Sequence, residues 1–568
     1  MTGKANAAIL FEPSAFDAQT KKIMGRNVAG ATFLDAFVRS AEVDRYVGVA
    51  SASDGRGQFR ERVAGLTAGD PMRSARPVDV LTPNSLEDLA AVGTLYVPDP
   101  QIGRFAERRR YLDQRAYSLC GITHTISSSG AMGLLCDLLT APVQPWDAMI
   151  YTSKSVRDAA VRQQEHYADY LEQRVGGRPA CPVRAPIIPL GVDTARFDRL
   201  GRDAAARAML RQRIGAAEND VVLLFFGRLI YHAKAHPVPM YLGLERAVRG
   251  LAAGAGRVHL VHTGQFPNQA AEDGFRGGAA RYCPEVATHF FDGTDLGLAE
   301  ASWAAADVFV SLSDNIQESF GITPVEAMAA GLPCLVSDWD GYRDTVVHGE
   351  TGFRIPTWLP PAGSGAALAD AYGRGSIDYD HYIGFASQMT AVQVPAFADA
   401  AAALIADPAL RRRMGEAGRR RAREHYDWTA LIGAYQDLWS ELAEVRRTAP
   451  EIAPPPARVR YSRLSDPFDV FAAHATDQNP HEVMLSVDPQ APELADLLAL
   501  KCNSLAAGSL LDQQGMKALL NIAQDGPQRL REFLLKVDPA QRVRAARTVG
   551  WLAKFGVLSI DSQHRIET

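Results

Sequence analysis

The stretch QESFGITPVEAMAAGLP, residues 317–333, delimits a short helix by its local signals. Thr323 is a residue type that caps helix N-termini, and Pro324 suits the first helical position. Gly331 and Pro333 are typical of a helix end. The sequence therefore predicts a helix that begins after Thr323 and ends at Gly331.

Glu326, inside this stretch, has two interpretations. It lies three residues after Thr323, so a capping box accounts for its carboxylate by local structure alone. Alternatively, the turn Phe320-Gly321-Ile322 brings backbone N–H groups and a helix N-terminus to one point, which suits a diphosphate, and Gly321 permits close approach. In that case Glu326 belongs to a ligand site.

Short apolar runs alternate with helical patterns on both sides of this stretch. Such runs are typical of buried parallel strands, and ligands of these sheets bind beyond the carboxyl ends of the strands. We therefore expect an α/β fold with two facing Rossmann-like lobes and a cleft between them. The first series comprises AAILFEP near the start, TLYVP (94–98), AMIYTS (148–153) and APIIPL (185–190), and the second comprises VVLLFFG, RVHLVHTG, THFFDG, DVFVSLS and LPCLVSD.

The chain divides into four parts. After Asp427, apolar residues recur at spacings of three and four, which predicts an amphipathic helix that docks on a larger body. The stretch TAPEIAPPPAR, residues 448–458, has four prolines in eleven residues and is typical of a linker. We predict an N-terminal lobe (1–195) completed by helix 427–446, a C-terminal lobe (196–426), a Pro-rich linker (447–458) and an appended, mainly helical domain (459–568) whose role the sequence leaves open.

Composition excludes several classes of function. Of the 568 residues, 47% are hydrophobic and 22% are charged, and the net charge of -5 gives no whole-chain attraction to nucleic acid. The six cysteines are scattered without the close pairs of zinc sites or small disulfide frameworks, which favours a reducing compartment. The sequence shows no signal peptide and no apolar run of about 18 residues. We expect a cytoplasmic protein.

Two cations follow the strand VVLLFF. Arg228 comes directly after Gly227 at the strand end, and Lys234 follows six residues later. An isolated Arg and Lys after a strand are usually solvated surface charges. Together at a strand mouth, however, they are able to offset the charge of a pyrophosphate without a metal ion.

The sequence resembles the retaining GT-B glycosyltransferases of family 4 (glycosyl transferases group 1). Their pattern is a Glu, seven residues and a second Glu, followed by an Ala-rich helix, Gly and Pro, and Glu318 and Glu326 have this spacing. The resemblance covers most of residues 1–447 and is strongest over 220–356. It rests further on the segments FFGRLIYHAKAHP, IIPLGVDTARF and SDWDGYRDTVVHGETGFRIP.

The resemblance implies a role for each residue of the donor site. Glu326 is expected to bind the ribose hydroxyls, and Glu318 is expected to contact the donor sugar as a catalytic group. Arg228 and Lys234 are expected to clamp the diphosphate. Phe320, Gly321, Ile322 and Thr323 complete the set, with backbone contacts expected to the sugar from Phe320 and to the diphosphate from the others.

In the N-terminal lobe, the resemblance points to two further positions. The segment YSLCGITHT ends a predicted strand, and His124 falls where the family often has a histidine that faces the donor sugar. The resemblance therefore implies that His124 is a catalytic residue together with Glu318. The loop IMGRNVAGATF, with Gly25 and Gly30, stands where the family commonly has a glycine-rich turn near the phosphates, although the usual paired glycines are absent. Where the family often reads Gly-Gly-x-Pro-Glu, this chain has Asp340-Gly341-Tyr342-Arg343-Asp344.

Two motifs suggest other ligands. Asp338-Trp339-Asp340 matches the Asp-x-Asp metal motif of the other major glycosyltransferase fold, but such triplets arise easily by chance. The arginine-rich stretches at 104–115 and 410–424 suggest contact with anionic lipid, or else solvated helices with interspersed glutamates. We expect no metal site. Peripheral contact with the inner face of the membrane is the alternative to a solvated surface for the arginine-rich stretches.

These observations predict a hexosyl-type transferase with no cofactor, whose partners are a nucleotide-sugar donor and a glycan, lipid-linked or protein acceptor rather than a nucleic acid. A nucleotide-sugar epimerase or phosphorylase on a related fold is the alternative within enzymes. A catalytically inactive scaffold that binds a nucleotide sugar is the alternative outside them. The base, the sugar, the acceptor and the oligomeric state are not encoded in any motif.

Overall fold

The computed structural model describes residues 4–16, 25–251, 256–453, 465–477 and 479–561. The chain divides into two compact units, residues 1–460 and 461–568. The first unit contains two six-stranded parallel sheets, and each sheet forms one lobe.

The N-terminal lobe is built on a sheet with the strand order β3-β2-β1-β4-β5-β6. This is the order of dinucleotide-binding folds, with the switch point between β1 and β4. The strands are β1 Ala8–Leu10, β2 Tyr46–Val49, β3 Val78–Leu81, β4 Thr94–Val97, β5 Ser118–Ile122 and β6 Ala148–Ile150. The helices are α1 Gly25–Ser40, α2 Ser53–Thr67, α3 Pro71–Ser74, α4 Leu86–Val92, α5 Ile102–Arg109, α6 Ser129–Asp137 and α7 Lys154–Val175.

The C-terminal lobe repeats this topology, with the strand order β12-β11-β10-β7-β8-β9. Its strands are β7 Val221–Phe226, β8 Val258–Gly264, β9 Ala287–Asp292, β10 Val308–Ser311, β11 Cys334–Ser337 and β12 Gly352–Ile355, and a two-stranded ribbon follows, β13 Thr357–Trp358 with β14 Ala391–Val392. Its helices are α8 Thr194–Gly201, α9 Ala204–Arg213, α10 Pro237–Arg249, α11 Gln269–Tyr282, α12 Leu296–Ala305, α13 Ile322–Ala330, α14 Tyr342–Thr345, α15 Ala366–Gly373, α16 Tyr379–Gln388, α17 Val394–Ala406 and α18 Pro408–His425.

The carboxyl edges of the two sheets face each other. Ser153, which follows β6, donates a hydrogen bond of 2.8 Å to the carbonyl of Ser319, which follows β10. The backbone N–H of Lys154 donates to Asp344 across 2.6 Å. Because ligands of parallel sheets bind at this edge, the cleft between the lobes is the expected ligand site. The structure thus confirms the predicted α/β architecture with two Rossmann-like lobes, the GT-B fold.

A last helix, α19 Trp428–Thr448, returns from the C-terminal lobe to the N-terminal one. Tyr435 and Trp439 on its apolar face pack against Tyr96 of β4, with ring centroids 5.8 and 6.3 Å apart. The chain beyond this helix stays on the lobe, because the Gln144 side chain bonds both the N–H and the carbonyl of Ile452. Part of the predicted linker is therefore held in place, while residues 454–458 of it lie outside the described residues.

The first arginine-rich stretch stabilises the lobe from within. Arg109 is fully buried and forms two hydrogen bonds, of 2.7 and 2.8 Å, with Asp147. Arg115 donates to the carbonyls of Arg446 and Ala449. The expectation of a solvated or lipid-facing surface is therefore wrong for these two residues. Arg109 pairs with a buried carboxylate, and Arg115 donates to carbonyls at a helix end, groups that would otherwise lack partners.

The second arginine-rich stretch, in α18, has a similar role. Arg419 donates to the carbonyl of Ala330 at the end of α13, and Arg421 donates to the carbonyls of Asp344 and Thr345. These bonds satisfy helix C-terminal acceptors and carry favourable charge there. No helix in the described part of the chain is long and apolar enough to cross a membrane.

One predicted strand is wrong. The segment APIIPL forms only an isolated bridge, between Tyr151 and Ile187, and then crosses towards the second lobe. Its two prolines, Pro186 and Pro189, lack the N–H donors that a sheet ladder requires. The crossing is paired with the return crossing, because Val192 bridges to Asp427.

The second unit is helical, as expected, but it also contains a small antiparallel sheet with the order β16-β15-β17. The elements are α20 Pro467–Val470, β15 Met484–Val487, α21 Leu494–Ala499, α22 Gln513–Ala523, β16 Gln528–Arg529, α23 Leu530–Leu535, α24 Arg542–Lys554 and β17 Leu558–Asp561, with 3-10 turns at Ala472–His474, Pro480–Glu482, Lys501–Ser509 and Pro539–Gln541.

Candidate functional site

Helix α13 begins earlier than its local signals predict. Gly321 is the N-cap, in a left-handed conformation with φ 75°, and Ile322 is the first helical residue. Thr323 is therefore the second residue of the helix, and its buried hydroxyl has no hydrogen-bond partner among the described residues. The predicted Thr323 cap and its capping box with Glu326 are wrong. The helix ends at Gly331 as predicted, with φ 87°.

Long-range packing sets this helix start. A Cβ atom at Gly321 would lie 1.9 Å from the ring of Tyr342, and one at Gly341 would lie 2.4 Å from the carbonyl oxygen of Phe320. The loop after β11 thus presses directly on the turn before α13. Only glycine fits the left-handed conformation and the close approach at Gly321.

Lys234 and Glu318 form an ion pair at the mouth of this lobe. Lys234 Nζ lies 2.8 Å from Glu318 Oε2, and the side chains are 15% and 14% exposed. Burial raises the pKa of Glu318, but the Lys234 ammonium and the N–H groups of Ser319 and Gly321 lower it below its ordinary value. Burial lowers the pKa of Lys234, but Glu318 and Tyr342 raise it above its ordinary value. Both groups are therefore charged at neutral pH.

Asn315 holds this pair in register, and sequence patterns did not single it out. Its amide nitrogen donates 2.7 Å to the carbonyl of Lys234, and its amide oxygen accepts from the N–H of Glu318 at 3.1 Å. It is 1% exposed and lies in the loop after β10. The one local signal for it is its position four residues beyond the end of an apolar strand, because Asn side chains in such loops commonly bond nearby backbone.

Arg228 lies at the turn after β7, where Gly227 has φ 140°. Its side chain is exposed, and it forms no hydrogen bond or ion pair with the residues that the structure describes. Lys234 reaches back to the same turn, since its Cε lies 3.4 Å from the position of a Cβ at Gly227. The two predicted cations therefore share one strand end.

Glu326 lies on the second turn of α13 and is half-buried. Burial raises its pKa to about 7, although Arg196 and Lys234 oppose this shift. Its carboxylate has no hydrogen-bond or ion-pair partner among the described residues. Because the capping box is absent, local helix structure does not explain this carboxylate.

The backbone of the turn, rather than its side chains, is available at the site. The Phe320 ring is 1% exposed and packs in the core near Tyr426, with centroids 6.0 Å apart. Only the main chain of Phe320 is thus able to contact a sugar. The N–H groups of Ile322 and Thr323 belong to the first turn of α13, where no intrahelical acceptor is available.

In the N-terminal lobe, His124 follows β5 and is half-buried, with Nε2 3.2 Å from the carbonyl oxygen of Pro98. It lines one small cavity together with Gly30 and Trp428. Gly30 lies inside α1, so the predicted glycine-rich turn is wrong at this residue. A Cβ at Gly30 would lie 2.5 Å from the carbonyl oxygen of Ala15, which requires a glycine here for close packing. Gly25 is the first residue of α1, and residues 23 and 24 of the predicted loop lie outside the described ones.

The two carboxylates of the Asp-Trp-Asp triplet have different surroundings. Asp338 lies 3.4 Å from Arg354, whereas Asp340 faces the N-terminal lobe, with Oδ1 3.4 Å from the Ser153 hydroxyl. Asp340 has φ 44°, a conformation that favours glycine. Burial and the nearby Glu318 raise its pKa well above the ordinary value.

An open cavity of about 420 Å³ lies at the ends of β8 and β9. It adjoins the Arg228 turn, because a Cβ at Gly264 would lie 1.8 Å from the carbonyl oxygen of Gly227. The guanidinium of Arg276 lies over the ring of Phe290 in the wall of this cavity, 4.6 Å from the ring centroid. Its lining residues include Gln265, Phe266, Glu272 and Asp292.

Fold and site together define a two-lobed protein of the GT-B class, with paired cations and two carboxylates at the carboxyl edge of its second sheet. Residues 207–361 match the family Glycosyl transferases group 1. The matched segment contains Arg228, Lys234, Glu318 and Glu326.

Curated relatives match over shorter regions. The D-inositol 3-phosphate glycosyltransferase of Geodermatophilus obscurus is 33% identical over 232 residues, which are 40% of this chain and 49% of that protein. The phosphatidyl-myo-inositol mannosyltransferase of Mycobacterium leprae is 50% identical over 78 residues, 14% of this chain and 19% of that protein. The chain thus spans about half, or less, of the length of these relatives. Among solved structures, HepE of Anabaena in complex with UDP is 16% identical, with a TM-score of 0.49, over 77% of this chain and 100% of that one.

Proposed function

We propose that this protein transfers a hexosyl unit from a nucleoside diphosphate sugar to an acceptor hydroxyl, with retention of the anomeric configuration and without a metal ion. The ion pair between Lys234 and Glu318 carries this proposal. In this pair, a cation suited to phosphate and a carboxylate suited to sugar hydroxyls lie next to the N-terminus of α13. The family match over residues 207–361 supports a glycosyl transfer activity.

The chemistry follows from the charges. The bond between the anomeric carbon and the phosphate oxygen breaks as the acceptor oxygen bonds to the same carbon. The leaving diphosphate gains negative charge and takes up the proton of the acceptor hydroxyl. Arg228, Lys234 and the helix N-terminus at Gly321 stabilise that charge more in the transition state than in the bound donor, which lowers the barrier. Lys234 exchanges its contact with Glu318 for the phosphate, and this exchange frees Glu318 to accept hydrogen bonds from the sugar.

The nucleoside part of the donor binds at Glu326 and in the cavity beside Gly264. Glu326 accepts hydrogen bonds from the ribose hydroxyls, for which an unpaired carboxylate is suited. The cavity of about 420 Å³ beside Gly264 has room for the base and adjoins the Arg228 turn.

The acceptor is a hydroxyl of a glycan, a lipid-linked compound or a protein. The names of the two curated relatives make inositol-type polyols the first acceptors to test. His124 lies across the cleft as a second contact to the donor sugar.

The test uses the full-length protein with a panel of UDP-, GDP- and ADP-sugars, with and without D-inositol 3-phosphate and with and without EDTA. We expect one of the donors to give most of the released nucleoside diphosphate, and we expect EDTA not to reduce this release. NMR of the product reports the anomeric configuration. Absence of release with every donor and acceptor would falsify the transfer function, and conversion of the donor without release would favour an epimerase.

A further inference from the structure

The connection between β12 and α17, residues 356–393, is unusually long for a strand-to-helix connection. Such connections usually have two to six residues, and much longer ones commonly carry function. This segment, here called the clasp, contains the ribbon β13–β14 and the helices α15 and α16. It belongs in sequence to the C-terminal lobe.

The base of the clasp is fixed to the loops that carry the donor-site residues. Ser387 of α16 donates 2.9 Å to Asp314, which also accepts from the N–H of His236 at 3.2 Å. Gly384 packs on His232, whose Cβ lies 3.0 Å from the position of a Cβ at Gly384. Both His232 and His236 flank Lys234, so the clasp and the Lys234 loop form one body.

The tip of the clasp contacts the other lobe. Tyr379 Oη lies 2.7 Å from Ser127 Oγ, and the Tyr372 hydroxyl accepts a hydrogen bond of 3.2 Å from the N–H of Ser129. Ser129 is the first residue of α6, so this N–H has no acceptor within its own helix. Tyr372 therefore supplies a missing helix-end partner across the cleft.

These contacts reach the loop that carries His124. Ser127 is three residues beyond His124 in the same β5–α6 connection, and it is 6% exposed. The tyrosines themselves are held in place, because Tyr372 stacks on Tyr382 with centroids 4.6 Å apart and planes 14° apart. The clasp thus joins the Lys234 loop on one side of the cleft to the His124 loop on the other.

We propose that the clasp closes the cleft, and that Tyr379 and Tyr372 are positioning residues that hold the His124 loop against the donor lobe. The proposal extends the proposed function, because closure excludes water from a donor that water would otherwise hydrolyse. The contacts of Tyr379 and Tyr372 with the His124 loop form without a ligand, so this proposal can be tested separately from the proposed function.

The test compares Y379F, S127A and the double variant Y379F/S127A in the full chain. Each single variant removes the same hydroxyl-to-hydroxyl bond, and a net hydrogen bond corresponds to on the order of a fivefold change in an opening equilibrium. Y382F is the matched control, because Tyr382 lies on the same helix and its hydroxyl makes no hydrogen bond to the N-terminal lobe within the described residues. Hydrogen exchange of residues 125–132 reports opening.

We expect about fivefold faster exchange in Y379F and at least as much in S127A, which also loses the 3.1 Å contact between Ser127 Oγ and Thr125 Oγ1. The double variant should show no increase beyond S127A, and Y382F should show no change. Exchange that stays unchanged in Y379F, or effects that add in the double variant, would overturn the proposal. A second measurement is the dissociation rate of UDP, GDP and ADP, and for those that the wild type binds we expect the rate to rise severalfold in Y379F. If the wild type binds none of the three, the proposed donor site fails, while hydrogen exchange still tests the clasp.

Discussion

Lys234 Nζ and Glu318 Oε2 are 2.8 Å apart although 84 residues separate them in sequence. Both side chains are largely buried. Under the proposed function, a phosphate of the donor has to compete with Glu318 for the ammonium of Lys234. Arg228, on the same turn and exposed, has no such competitor among the described residues.

Substitution of the two cations should separate affinity from stability. We expect R228A and K234A each to weaken UDP binding by about 1.5–3 kcal/mol, the range for a charge-assisted hydrogen bond. R228A should leave the free energy of unfolding unchanged, whereas K234A should lower it because Glu318 is left unpaired. Calorimetry and urea denaturation measure the two quantities. The double variant K234A/E318Q should recover the free energy of unfolding but not the affinity for UDP. The control is R104A, since Arg104 is an exposed arginine of the other lobe. Equal UDP affinity in R228A and wild type would remove Arg228 from the site.

Donor affinity should depend on pH through Glu326. Burial raises its pKa to about 7, and the ionised form accepts hydrogen bonds from ribose hydroxyls better than the protonated form. We therefore expect affinity for the nucleotide sugar to increase as the pH rises from about 6 to 8 and then to level off. The phosphates of a nucleotide sugar do not titrate in this range. Titration calorimetry of wild type and E326Q checks the prediction, and E326Q should show no such rise. An identical pH profile in both proteins would contradict the assignment.

Gly321 should tolerate no side chain. G321A forces a Cβ into the left-handed conformation and within 1.9 Å of the Tyr342 ring, so we expect a loss of more than about 1–2 kcal/mol in the free energy of unfolding. Gly363 provides the matched control. It also has positive φ, 96°, but a Cβ there would meet nothing within 4 Å. Thermal and urea unfolding of G321A and G363A separate the clash from the backbone strain. Equal losses in the two variants would show that Tyr342 does not hold the turn.

Acid should destabilise the C-terminal lobe through a buried histidine. Burial lowers the pKa of His262 to about 3, and its Nε2 lies 3.2 Å from the Tyr241 hydroxyl. The unfolded residue takes up a proton below about pH 6.5, whereas the folded one does not, so stability falls as the pH decreases from 6.5. We expect His262 to contribute a slope of about 1.4 kcal/mol per pH unit between about pH 6 and 4.

The double variant H262F/Y241F removes both the titrating ring and the hydroxyl that would otherwise lose its partner. Urea denaturation at several pH values should show a shallower fall for this variant than for wild type. His289 titrates in both proteins, with a pKa lowered to about 4 by burial, and so cancels in the comparison. Parallel curves would assign the acid sensitivity to other groups.

The sequence predicted the elements of the fold better than their contacts. Apolar runs such as VVLLFF and PCLVS mark buried strands by composition, and the Gly331-Pro333 pair marks a helix end. These signals are local, and the structure confirms them. APIIPL has the same apolar composition, but its prolines prevent regular pairing, so composition alone misassigned it.

The sequence proposed the candidate site as a set of residues, without their arrangement. The spacing of Glu318 and Glu326 and the cations after β7 singled out four residues. Asn315 and the clasp tyrosines escaped notice, and Tyr342 entered only as part of a departure from the family pattern, because an Asn after a strand or a Tyr on a helix has many ordinary explanations. Their roles depend on which distant backbone each one meets.

The sequence by itself determined that QESFGITPVEAMAAGLP contains a helix ending at Gly331, flanked by strands of a parallel sheet. Only the tertiary structure placed the helix start at Gly321 instead of Thr323, because Gly341 and Tyr342 press on the turn from another loop. The same structure removed the capping explanation of Glu326 and buried Arg109 against Asp147. Propensity and spacing act over a few residues, whereas the packing of distant segments selects among the conformations that they leave open.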